Sequence, residues 1–103
     1  MTESVKNKHC LHLLVGSSAE AVERCRSRFS DNDAVLFLDD GVMHLAGDSG
    51  AVVAPPLPNG VFLAADLQAR GLLQLARDAG AEIAGDSDFL ELLRKYDFCL
   101  TWK

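Results

Sequence analysis

Two short runs in this sequence are apolar at every position, residues 34–38 (AVLFL) and 61–65 (VFLAA). A strand with one wet face alternates polar and apolar residues, so runs without alternation belong to strands covered on both faces, the signature of parallel sheets. A third run, residues 9–15 (HCLHLLV), is ended by Gly16 and two serines and bounded in the same way. Between the runs lie segments of helical spacing. Ser17 and Glu20 have the separation of a capping box, and Ser18, Val22, Cys25 and Phe29 then recur on one helical face until Asp31, Asn32 and Asp33 stop the helix.

The remaining elements follow the same rhythm. Asp39, Asp40 and Gly41 end the 34–38 strand, Val42 to Gly47 is long enough for one helical turn, and Asp48-Ser49-Gly50 is a turn signal. Pro55, Pro56 and Pro58 deny ladder donors to residues 51–59, which makes that stretch an edge element or a surface loop. Asp66 is placed to cap a helix from Leu67, Gly71 interrupts it, and Leu72 to Ala79 resumes helical spacing until Gly80 closes it. Residues 81–84 read as a weak strand, Asp86, Ser87 or Asp88 caps a last helix, and Phe98 to Trp102 is a last strand. Such alternation with short connections predicts a three-layer α/β/α sandwich around a mostly parallel sheet of about five strands. With 103 residues and 49% hydrophobic content, the chain suffices for one core and is read as a single domain over 1–103.

Charge and cysteine usage narrow the chemistry. Ten Lys and Arg against fifteen Asp and Glu give a net charge of -5, without the basic surface that non-specific phosphate binding requires. Lys6 and Lys8 precede only Cys10 to Val15, too short a run for a signal h-region or a membrane span, so the expectation is a cytoplasmic protein with no membrane partner. The three cysteines, Cys10, Cys25 and Cys99, are odd in number and show neither CxxC spacing nor a Cys/His cluster, against both a disulfide framework and a zinc site.

No strand end carries a glycine-rich nucleotide motif; Gly16-Ser17-Ser18 is the nearest approach, and a helix start there has N–H groups able to hold an anion. Asp39 and Asp40 sit where open α/β sheets bind ligands, yet no nearby lysine or threonine completes a phosphoacceptor set, and a solvated turn accounts for them. His9, His12 and His44 have no metal-ligand spacing, and His12, inside an apolar run, reads as a core histidine held by a hydrogen bond. Cys25 sits in a conflict of effects. Arg24, Arg26 and Arg28 favour its thiolate, with Arg28 expected nearest its face, whereas its place late in the helix and on the core stripe favours a buried thiol. Cys10 and Cys99 fall within strands and read as core.

Four stretches carry a family resemblance: Leu11-His12, AVLFLDDGV at 34–42, VFLAADLQARGL at 61–72 and DFLELLRKYDFCLTW at 88–102. In this order they resemble the DsrE/DsrF/DsrH-like sulfur-relay proteins, and within them the DsrH/TusB branch. The resemblance implies a subunit of a cytoplasmic heterohexamer, with DsrE/TusD-like and DsrF/TusC-like partners, that passes persulfide sulfur between cysteines to a downstream acceptor protein. The destination is either 2-thiolation of the tRNA wobble uridine or dissimilatory sulfur oxidation. No metal or nucleotide cofactor is implied, and any tRNA contact belongs to a later enzyme. The resemblance places Cys25 as the candidate persulfide carrier, since a cysteine lies on the first helix of DsrH members from sulfur oxidisers. The family's Asn, basic, Ser, Pro run after the first strand is replaced here by Val15 to Ser18, a departure that also admits a divergent homodimer. The alternatives are a structural subunit that only completes the assembly and a stand-alone regulator binding an anion or nucleotide at Gly16 to Ser18.

Overall fold

The computed structural model describes residues 9–46 and 56–103. Its elements in chain order are β1 (Cys10–Leu14), α1 (Ala19–Arg28), β2 (Ala34–Phe37), a 3-10 helix (Asp39–Leu45), β3 (Gly60–Leu63), α2 (Ala64–Ala69), α3 (Leu73–Asp78), β4 (Ile83–Ala84), α4 (Asp86–Lys95) and β5 (Phe98–Trp102). The five strands form one sheet in the order β4-β3-β2-β1-β5, and every neighbouring pair is parallel. The expected α/β sandwich is present. The unalternating runs account for it: all four residues of β2 are buried, because β2 lies at the centre of the sheet with helices over both faces.

The two faces are covered unequally. On the first, Val22 and Cys25 of α1, Leu45 of the 3-10 helix, Leu67 of α2 and Ala76 of α3 close over Leu14, Val35, Phe37 and Phe62, whose two phenyl rings stack at 4.5 Å. On the second, among the described helices α4 alone packs Phe89 and Leu92, with Tyr96 beyond its end, against Leu11, Leu36 and Leu63, and no residue of α4 itself is buried. Sheet edges follow the same inequality. β4 is only two residues long, whereas β5 has five and leaves Phe98, Cys99 and Thr101 exposed.

Several local expectations are corrected. Ser18 rather than Ser17 caps α1, its hydroxyl accepting from the Ala21 N–H at 3.1 Å, so the Ser17/Glu20 capping box does not form. Asp66 does not begin a helix but lies within α2, which starts at Ala64; its carboxylate instead accepts the N–H of Asp39 at 2.6 Å. The turn expected from Val42 starts earlier, at Asp39, and is a 3-10 helix. The 81–84 strand shrinks to Ile83–Ala84. The Asp48-Ser49-Gly50 turn and residues 51–55 of the proline-rich stretch lie outside the described residues. The stretch ends in a turn with Leu57 buried and Asn59 at φ 56, where the Asn59 side-chain amide donates to the Asp33 carbonyl at 3.1 Å. Gly41 is required by close approach: a Cβ there would stand 1.9 Å from the Leu14 carbonyl oxygen. Among the described residues no helix is long and apolar enough to cross a membrane.

Candidate functional site

α1 lies over the β1 end of the sheet and puts its apolar stripe, Ala21, Val22 and Cys25, into the core. Cys25 is 0% exposed. Burial pushes its thiol up to about 11; the nearby Cys10 and Asp33 add to that and Arg26 opposes it. The arginine acting on Cys25 is therefore Arg26, not Arg28 as the helical spacing suggested; Arg28 acts on Cys10. A thiol with a pKa of about 11 holds roughly one part in 10⁴ as thiolate at pH 7, and the thiolate is the species that attacks sulfur. In this conformation Cys25 is a core residue. Cys10, also buried, is likewise pushed up to about 11, by burial first and by Asp33 and Cys99 after it. Cys99, expected in the core, is exposed. The reason is its place on the edge strand and on the thinly covered second face of the sheet.

Beside Cys10 lies an organised polar group. His12 is completely buried on β1, one ring nitrogen 2.9 Å from an Asp33 carboxylate oxygen and the other accepting the indole N–H of Trp102 at 2.9 Å. Since Nδ1 accepts from the indole, the proton sits on Nε2 and is donated to Asp33, which fixes the neutral tautomer. Phe29 stacks on the same imidazole with ring centroids 5.0 Å apart. Asp33 also accepts the N–H groups of Cys10 at 3.0 Å and Ser30 at 2.9 Å. Burial opposes its ionised form, but the donors from Cys10, His12 and Ser30 outweigh burial and hold the carboxyl below its ordinary value. No buried side-chain nitrogen or oxygen among the described residues lacks a partner. Ligand atoms of Cys10, His12 and Asp33 lie within 4.8 Å of one another. Both ring nitrogens and both carboxylate oxygens are already engaged, so the group is built as a hydrogen-bond network.

His12 as a hydrogen-bonded core histidine is borne out. Sequence reasoning missed its partners: Asp33 entered only as a helix stop, and Trp102 only as the end of the last strand and as part of the resemblance. The available signal was the histidine itself, since a polar side chain in a doubly covered strand demands partners on both nitrogens.

A second polar cluster forms at the carboxyl ends of the strands. Asp39, in the left-handed region at φ 54, and Asp40 both accept from one guanidinium nitrogen of Arg70, at 2.8 and 2.9 Å, and Arg70 also lies 4.0 Å from Asp66. The pair is exposed, as a solvated turn requires, and is also clamped by Arg70, which joins AVLFLDDGV to DLQARG. At Gly16 to Ser18 one N–H donor and two oxygen acceptors are used within the chain. The Gly16 N–H goes to the Trp102 carbonyl at 3.2 Å, the Gly16 carbonyl faces His44 at 2.9 Å, and Ser18 caps α1. A Cβ on Gly16 would stand 2.5 Å from the Lys103 backbone, so this glycine serves close chain packing.

The family model described as DsrH like protein matches residues 16–98, a span that holds Cys25, the two aspartates and Arg70. No curated protein sequence matches the chain.

Proposed function

Because the chain belongs to the DsrH-like family, we propose that it works as an accessory subunit of a sulfur-relay assembly, completing the complex rather than carrying sulfur on its own thiol. The partners in this reading are DsrE/TusD-like and DsrF/TusC-like chains, and the sulfur goes on to a downstream acceptor for tRNA thiolation or sulfur oxidation, in the cytoplasm. The observation that supports the accessory role is the state of Cys25, 0% exposed and with its thiol pushed up to about 11. A carrier thiol must be reached by one partner cysteine, attack as thiolate and then be reached by another. The polar network around His12 fits the same role, because it ties β1, β5 and the approach to β2 into a rigid scaffold.

A second reading is favoured by the position of Cys25 on α1 within the family-matched span, next to Arg26. In it, a partner draws α1 away from the sheet, exposes Cys25 and lets it accept a persulfide. Co-expression with the two partner types separates the readings. The accessory role predicts that Cys25→Ser co-purifies with both partners and that the assembly transfers sulfur to its acceptor at the wild-type rate. Assembly retained with transfer lost would establish the carrier role, and failure of the wild-type chain to co-purify would remove both.

A further inference from the structure

Among the described residues the sheet ends at β5 in an unusually bare edge. Natural edge strands are blunted by lysine, proline, inward charges or shortness; β5 reads Phe-Cys-Leu-Thr-Trp and has none of these, while the opposite edge, β4, is only two residues long. In the parallel ladder with β1, the Trp102 carbonyl accepts from the Val15 N–H at 2.8 Å. By alternation Phe98, Leu100 and Trp102 hydrogen-bond inward, and Cys99 and Thr101 turn their N–H and C=O groups outward, where the strand order places no further strand among the described residues.

The sequence of this edge is complementary to itself when reversed. About a two-fold axis through Leu100, Cys99 lies opposite Thr101 of a second copy, and these are the residues with free outward groups. Phe98, 46% exposed, lies opposite Trp102 on the α1 side of the sheet, the kind of aromatic cross-strand pair that stabilises antiparallel ladders. At the two ends the sequence sets Asp97, whose carboxylate also accepts the His9 N–H at 2.7 Å, opposite Lys103 of the other copy, so the flanking charges are opposite in sign. A register shifted by one residue sets outward groups against inward ones, and one shifted by two separates the Asp97/Lys103 pairs.

We propose that β5 is a homotypic interface, on which a second copy of this chain pairs antiparallel through Leu100 to continue the sheet across the dimer. The proposal is independent of the role of Cys25. Sedimentation equilibrium of the full chain under reducing conditions tests it, with the reductant excluding a dimer made only by disulfide. The expected mass is twice the 11.1 kDa of one chain. The double variant Cys99→Glu/Thr101→Glu, at two exposed positions, sets like charges opposite each other twice and is expected to sediment as a folded monomer by circular dichroism. Cys99→Lys/Thr101→Glu sets opposite charges there and is expected to restore the dimer. A wild-type monomer at all concentrations, with the edge left to a strand of some other protein, overturns the proposal. So does a dimer that survives the two glutamates, and a charge-swapped variant that stays monomeric overturns the Leu100 register.

Discussion

Replacing Asp33 by alanine tests the reading of the buried network directly. The carboxylate accepts the N–H groups of Cys10 and Ser30 and the Nε2–H of His12, so Asp33→Ala leaves three donors without an acceptor. At about 1–3 kcal/mol for each orphaned buried donor, the loss is at least about 3 kcal/mol, against a total stability of about 5–15 kcal/mol for a domain. With a urea m-value of about 1–1.5 kcal/mol/M for a small chain, the midpoint falls by about 2–3 M. Trp102 is the only tryptophan and donates to His12, so its fluorescence reports unfolding from inside the network. Asp33→Asn keeps one carbonyl acceptor and is expected to lose about half as much. The folded pKa of Asp33 lies below its ordinary 3.8, so its stabilisation is present above that value and is lost as pH falls through the lower folded value. Asp33→Asn removes that acid-side slope. A midpoint for Asp33→Ala equivalent to less than about 1 kcal/mol of loss, or an acid limb unchanged in Asp33→Asn, would refute the network's role in holding β1 to β5.

Four further outcomes follow from the same geometry. Gly41→Ala forces a Cβ against the Leu14 carbonyl and is expected to cost about 3 kcal/mol by overpacking, measured by urea unfolding. The native protein should show one fast-reacting thiol toward an aromatic disulfide reagent, abolished by Cys99→Ser, with Cys10 and Cys25 reacting only after unfolding. Because both buried thiols are pushed up to about 11 from 9.0, the folded state keeps protons that the unfolded chain gives up. Stability is therefore whole below about pH 9 and falls between pH 9 and 11, and Cys25→Ala should lessen that alkaline slope in thermal melts. Arg70→Gln leaves Asp39, Asp40 and Asp66 without their shared cation, so its melting temperature should lie below wild type at low ionic strength and approach it as salt screens the three carboxylates.

The layer architecture was legible because β2 and β3 are apolar without alternation, a pattern that only a doubly covered strand explains. The place of Cys25 on the stripe with Val22 was legible, its conflict with the arginines was not resolved there, and in the structure burial is the larger effect, with Arg26 opposing it. Elements fixed by long-range contact were not legible. Asp66 looked like a cap because its local context is that of a cap, but its partner is the Asp39 N–H across a turn. The Asp39/Asp40 pair is solvated as expected, but its cation, Arg70, was not foreseen because it is thirty residues away. Cys99 looked buried because β5 is apolar, and only the strand order shows that β5 lies at an edge. Apolar composition reports that a strand is in a sheet; it does not report which strands have neighbours on both sides.

The central claim is that this DsrH-like chain keeps Cys25 locked on the buried face of α1. Mass spectrometry of the native protein after exposure to a low-molecular-weight persulfide donor tests it most directly, with Cys99 as the accessible internal control. Sulfur is expected on the Cys99 peptide and none on the Cys25 peptide, including when both partner subunits are present. Added sulfur on Cys25 in the folded assembly would contradict the claim and make that thiol a carrier.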